Sequence, residues 1–199
     1  MFINWKLREI NLKIVYYGPS LSGKTTSLQY IHSRTNPERR GELISLKTRE
    51  DRTLYFDYMQ FQMGTINGLK PRFNIYTVPG QVYYRGTRKL VLKGVDGLVF
   101  VADSQIRRLQ ENVEAIRDLN QDLRDLGYVP SEVPLILQCN KRDLPDIMPV
   151  HSLKEYLGLN GIQTFESVAL EGIGVLDGLK SIVSSVVTKA RGNINQSPG

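Results

Sequence analysis

The first residues able to do chemistry come early, in Gly18-Pro19-Ser20-Leu21-Ser22-Gly23-Lys24-Thr25-Thr26. Their spacing, G-x-x-x-x-G-K-[ST], is that of a phosphate-binding loop. Each residue type has a physical reason to be there. Glycine at 18 and 23 lets the backbone turn sharply and approach an anion, and successive N–H groups then converge on it. The Lys24 ammonium suits the β- and γ-phosphates, and the Thr25 hydroxyl is a hard oxygen ligand fit for Mg²⁺. The bland alternative is a chance match or a plain strand-to-helix turn. Context argues against it. The run Ile14-Val15-Tyr16-Tyr17 precedes the loop, and Ser27-Leu28-Gln29-Tyr30-Ile31 follows with apolar residues at helical spacing. The helix adds its N-terminal partial positive charge to the cradle. Such a loop identifies a nucleotide binder, but neither the base nor the reaction.

Asn140-Lys141-Arg142-Asp143 directly follows the apolar run 134–139. Loops at the carboxyl ends of buried strands line the ligand crevice of an open α/β sheet. The Asp143 carboxylate can accept two hydrogen bonds, from N1–H and the exocyclic amine of guanine. Adenine offers no such pair and would leave a buried acceptor unpaired. Asn140 can tie this loop to others, and the Lys141 stem can lie over the base. Alone, N-K-x-D also fits a solvated turn; in register behind a phosphate loop and two more strands it specifies guanine. The third stretch is Thr77-Val78-Pro79-Gly80-Gln81. Gly80 can offer an unobstructed N–H to a γ-phosphate, and Gln81 can orient an attacking water. Alone, this stretch reads as a Pro-Gly turn with an exposed glutamine.

The elements that must position these loops follow from periodicity. Residues 11–17 alternate and then turn continuously apolar, as a strand buried on both faces does. A helix over 25–32 should stop before Asn36-Pro37. Residues 37–51 read as a loop with a short apolar patch at 43–46. Residues 54–58 and 61–63 form one kinked strand or two short ones, making a hairpin with 72–78 through a turn at 64–68. A short helix is expected over 83–92, and uncharged 97–102 is a central strand. Ile106, Leu109, Val113, Ile116, Leu119, Leu123 and Leu126 form a helical stripe. Further elements are a strand at 134–139, a helix at 150–157, a strand at 163–168 and a helix at 175–190. The pattern predicts an α/β P-loop fold of three layers, α/β/α, around a mixed, mostly parallel sheet of six or seven strands. One domain is expected over 1–192, with a flexible tail at 193–199.

Composition narrows the classes. The chain has 199 residues, 41% hydrophobic and 23% charged, which suits one soluble domain. No apolar run approaches the ~20 residues of a transmembrane helix. The N-terminus is no signal peptide, there is no terminal cysteine box for prenylation, and Gly does not follow Met1, so no stable membrane anchor is expected. The single cysteine, Cys139, fits a reducing cytoplasm. The net charge of +6 is spread over pairs such as Arg39-Arg40 and Arg107-Arg108 with acids close by, so a nucleic-acid partner is not expected.

Together these stretches resemble the Ras-like small GTPases over nearly the whole chain, and within them the MglA-type bacterial branch of cell polarity and gliding motility. The finer likeness rests on Val15-Tyr16-Tyr17-Gly18-Pro19, Thr53-Leu54-Tyr55-Phe56-Asp57, Tyr76-Thr77-Val78-Pro79-Gly80-Gln81, the run 88–97 and Val101-Ala102-Asp103-Ser104. The resemblance implies a Mg²⁺-dependent switch between GTP and GDP, a Roadblock-domain, MglB-like activator, downstream polarity or motility effectors, and recruitment to cell poles. It implies nucleotide contacts from Gly18, Ser20, Leu21, Ser22, Gly23, Lys24, Thr25, Thr26, Gly80, Asn140, Lys141, Asp143, Val168, Ala169 and Leu170. Thr25 and Thr53 would hold the metal, while Gln81, Arg52, Lys24 and Thr53 would form the catalytic set, Arg52 as an arginine finger in cis. Segments 37–58 and 79–92 would move between nucleotide states. Three departures stand out. Thr77 replaces the aspartate of most small GTPases, and Ser20 replaces a glycine, implying slower hydrolysis. Val168-Ala169-Leu170 replaces Ser-Ala-Lys, leaving the Ala169 N–H to meet the guanine oxygen. Alternatives are a nucleotide-gated scaffold with little hydrolysis and a P-loop kinase or ATPase; Asp143 argues against the latter.

Overall fold

The computed structural model describes residues 1–47, 53–80 and 84–196, with the backbone alone at 46–47, 53–55 and 196. Its axis is β2 (Glu9–Tyr17). Side chains alternate along a strand; here Ile10, Leu12, Ile14 and Tyr16 are buried on one face, and on the other the half-buried Glu9, Asn11 and Lys13 give way to buried Val15 and Tyr17. β5 (Lys70–Thr77) and β6 (Gly97–Asp103) flank β2 in parallel, with Tyr16 beside Thr77 and Val99. The sheet continues through β7 (Leu135–Asn140) to β8 (Thr164–Ser167) on one side, and through β4 (Thr53–Gln62) to β3 (Ile44–Lys47) on the other. The pairs β3–β4 and β4–β5 are antiparallel. α1 (Lys24–Arg34) and α5 (Val175–Gln196) close the Ile10 face through Leu28, Ile31, Val175, Leu179 and Ile182. α2 (Arg85–Leu92), α3 (Leu109–Asp125) and α4 (Val150–Leu157) close the other through Leu92, Leu119, Leu123 and Leu153. This is the expected three-layer, mostly parallel architecture.

Among the described residues the sheet has eight strands, not six or seven. The first addition is β1 (Phe2–Asn4), antiparallel to β2 at Glu9–Asn11, below the point at which β6 joins β2 beside Ile14. The other is β3, inside the expected loop 37–51. Its Ile44 is 47% exposed and its register shifts between Ser45 and Lys47, so an edge strand of this kind carries no burial pattern to read. Residues 53–62 form one strand, joined to β5 by a turn in which Ile66 and Leu69 exchange backbone hydrogen bonds. Of the α3 stripe, Ile116, Leu119 and Leu123 are buried and Leu109, Val113 and Leu126 half-buried against the same core, while exposed Ile106 opens a single 3₁₀ turn ahead of the helix. α5 runs six residues beyond 190, because Ala190 and Ile194 extend its apolar face and Asn195 accepts from Asn67. Residues 193–196, expected in the tail, are therefore helical. Among the described residues no helix is long and apolar enough to cross a membrane.

Candidate nucleotide site

Every parallel strand ends on the same edge of the sheet, and the loops that follow β2, β5, β6, β7 and β8 gather there. The loop after β2 carries left-handed backbone at Gly18 (φ 146°), Leu21 (φ 62°) and Gly23 (φ 104°). Gly23 has a second reason to be glycine: a Cβ there would lie 2.1 Å from Asn140 Nδ2. Lys24 folds back along the loop and donates to the carbonyls of Gly18 (2.9 Å) and Pro19 (2.7 Å). Burial lowers its pKa to about 7, against an opposing pull from Asp57.

That depression makes nucleotide uptake pH-dependent. An ammonium facing phosphates regains a high pKa, so binding to the nucleotide-free protein should take up a proton above pH 7. GDP affinity should then fall with rising pH above 7, by up to about tenfold per unit. The stability of the nucleotide-free chain runs the other way. The unfolded lysine holds its proton up to its ordinary value of 10.5, so stability rises between about pH 7 and that value on this group's account. Calorimetry in two buffers of different ionisation enthalpy reads the proton uptake directly.

The Thr25 hydroxyl donates at 2.6 Å to Oδ2 of Asp57, a residue that motif reading passed over. Asp57 stands on β4 and is 1% exposed. Its carboxylate also accepts from Ser45 Oγ and from Thr77 Oγ1 (2.7 Å), and its N–H donates to Thr77 Oγ1 (2.9 Å). Thr77, at the position where most small GTPases have aspartate, thus lies beside a carboxylate from the neighbouring strand. The available signal was an acid inside the otherwise apolar and aromatic run 54–58.

Gly80 comes so close to the phosphate loop that a Cβ would sit 2.4 Å from Ser20 N, so only glycine fits. Gln81 and Arg52 lie outside the described residues, as does the Thr53 side chain, although the Thr53 backbone opens β4. Beyond Gly80, α2 is bolted to α3 by ion pairs. Arg85 Nε meets Asp122 at 3.0 Å, Arg88 Nη2 meets Asp118 at 2.9 Å, and Lys89 meets Asp125 at 2.5 Å. Asp122 is fully buried, and Tyr17 also donates to it. Asp122→Ala would strip a fully buried carboxylate from the Arg85 and Arg88 guanidiniums and should cost about 3–5 kcal/mol. Urea unfolding at fixed GDP concentration measures it.

On the other side of the loop, Asn140 Nδ2 donates to Ser22 O (2.7 Å) while its Oδ1 accepts from Ser167 Oγ (3.1 Å) and Ala169 N–H (2.9 Å). Asn140 therefore ties three loops together. The Ala169 N–H, expected to face the guanine oxygen, donates to Asn140 Oδ1 here, and among the described residues no protein atom accepts from the Leu170 N–H. Val168 and Ala169 are buried and Leu170 is exposed. Lys141 adopts φ 66° and its Nζ donates to Asp103 at 2.7 Å. Asp143 is exposed, and among the described residues nothing donates to its carboxylate. Thr26, half-buried in the first turn of α1, completes the set.

The sequence profile of the ADP-ribosylation factor family matches residues 1–186. The chain belongs to the ADP-ribosylation factor family. The mutual gliding-motility protein MglA of Myxococcus xanthus (strain DK1622) is 50% identical to it over 190 residues, 96% of this chain and 97% of that protein. As a member of this family the chain is a small GTPase, and its ligands are guanine nucleotides. The loop 18–25, the Asp57 cluster and the Asn140–Asp143 loop lie together along one sheet edge.

Proposed function

We propose that the protein is a Mg²⁺-dependent guanine-nucleotide switch of gliding motility and cell polarity, turned off by hydrolysis that a Roadblock-domain partner accelerates. The observation carrying this reading is the convergence of Lys24, the Thr25–Asp57 pair and Asp143 at one edge. Lys24 and the loop N–H groups would take the phosphates. The Thr25 hydroxyl and Asp57 carboxylate are hard oxygen donors fit for Mg²⁺, with Thr53 as the third candidate. The ion would supply charge neutralisation between the β- and γ-phosphates. Asn140 and Lys141 hold the loop that presents Asp143 to guanine. Gln81 would orient water, and Arg52 would meet developing charge. The motility role is carried by the likeness to the Myxococcus protein, whose name states it. Residues 1–192 would act as the GTPase domain, in the cytoplasm and recruited to cell poles.

Calorimetric titration with GTP, GDP and ATP, each with Mg²⁺ and with EDTA, tests binding, and single-turnover hydrolysis with and without a Roadblock-domain protein tests the switch. Equal ATP and GTP affinity would overturn the guanine reading, and no acceleration by the partner would overturn the activator. A second reading, a nucleotide-gated scaffold with little hydrolysis, is favoured by the tight packing of Gly80 on Ser20. A GTP-bound chain that binds effectors but turns over no faster with the partner would establish it.

A further inference from the structure

The Ser20 carbonyl accepts a hydrogen bond at 2.8 Å from Nη2 of Arg108, a residue 88 positions away at the entrance to α3. In a trans peptide the C=O and the following N–H point to opposite sides, and among the described residues no peptide bond is cis. The Leu21 N–H is therefore turned away from Arg108, and among the described residues no protein atom accepts from it. Leu21 holds φ 62°, a conformation that L side chains rarely adopt, with its own side chain 73% exposed. Packing of that side chain does not explain the conformation, whereas Arg108 holds the carbonyl of the peptide just before it.

The rest of the guanidinium is held as well. Nη1 donates to Glu111 at 2.6 Å, and Nε lies 3.8 Å from Oδ2 of Asp103. The Asp103 side chain is fully buried and also accepts from Lys141 Nζ (2.7 Å) and the Gln105 N–H (3.1 Å). One buried carboxylate thus serves two cations, one gripping the phosphate loop and the other belonging to the guanine loop. A planar fork donates to two acceptors while its third nitrogen stays within ion-pair distance of Asp103, which a lysine ammonium on a flexible stem does not do with the same geometry.

We propose that Arg108 is a positioning residue for nucleotide binding: it fixes the Ser20–Leu21 peptide so that the Leu21 N–H is presented to the phosphates, and through Asp103 it ties that loop to Lys141. The inference rests on the reading of residues 18–25 as the phosphate cradle. The bland alternative is an i, i+3 surface pair with Glu111, which would contribute little.

The test is release of a fluorescent GDP analogue from the full chain, chased with excess GDP, in the parent and three variants. Arg108→Ala should release it about tenfold faster or more, the scale of one lost charge-assisted hydrogen bond. Arg108→Lys should fall between. Adding Leu21→Gly to Arg108→Ala should recover most of the loss, because glycine takes the left-handed conformation without help. A purely structural arginine would not be rescued by a glycine in an exposed loop. Release from Arg108→Ala within twofold of the parent, or an acceleration that Leu21→Gly leaves untouched, overturns the proposal. If Arg108→Ala does not fold, Arg108→Lys with and without Leu21→Gly carries the same comparison. A parent that holds an ADP analogue as firmly as GDP defeats the guanine reading alone, since the phosphates are shared and the Arg108 contrast still decides. A parent that holds neither overturns both.

Discussion

Arg52→Ala should leave GTP and GDP affinity within a few-fold of the parent while slowing partner-stimulated hydrolysis by about 10³-fold or more. Arg52 itself lies outside the described residues, but the strand it precedes does not. β4 runs antiparallel to β5, with Tyr58 opposite Tyr76. Its first residue, Thr53, therefore enters the sheet from the edge where β5 ends in Thr77 and where Asp57 meets Thr25. A cation arriving from that edge has a short path to a γ-phosphate. A guanidinium that meets charge developing only in the transition state changes rate far more than ground-state affinity. Gln81→Leu should show the same split. Single-turnover hydrolysis with a saturating Roadblock-domain partner, alongside calorimetry for affinity, reads both quantities. Hydrolysis at the parental rate in Arg52→Ala would make Arg52 a solvated surface charge, and the partner would have to bring an arginine of its own.

Local features were legible wherever a residue's role depends on its sequence neighbours. The phosphate loop declares itself through glycine spacing, β6 through an uncharged apolar run that must be buried on both faces, and β2 through alternation that ends in such a run. The α3 stripe is legible for the same reason. What escaped depends on contacts between distant residues. Asp57 looks like one acid in a mixed strand until the β4–β5 register puts it beside Thr77. Arg108 looks like half of a scattered basic pair, and only the folded chain brings it to Ser20. Nor does anything in the sequence say that the Ala169 N–H reaches the Asn140 side chain. β3 escaped because an exposed edge strand has no alternation, and the last turns of α5 because small and polar residues dilute the stripe there.

Asp143→Asn should weaken GDP binding on the order of 2–4 kcal/mol, roughly 30- to 1000-fold. The loop that carries Asp143 is held from both sides. Asn140 is fixed by Ser22, Ser167 and Ala169, and Lys141 by the buried carboxylate of Asp103. Asp143, by contrast, spends none of its acceptors on the described protein. A rigid frame around an uncommitted carboxylate is the arrangement expected of a group reserved for a ligand with two adjacent donors. Guanine presents such a pair in N1–H and the 2-amino group. An asparagine amide offers one acceptor and turns a donor toward the other guanine donor, so a bond is lost and a repulsion gained. Xanthine has an oxygen where guanine has that amine. The amide donor then meets an acceptor, and the same variant should bind xanthosine diphosphate better than the parent does. Competition of GDP, xanthosine diphosphate and ADP against a fluorescent diphosphate, in parent and variant, measures all three affinities together. GDP affinity unchanged by the substitution would remove Asp143 from the base site. A parent that binds ADP as tightly as GDP would remove guanine specificity itself, whatever the variant does.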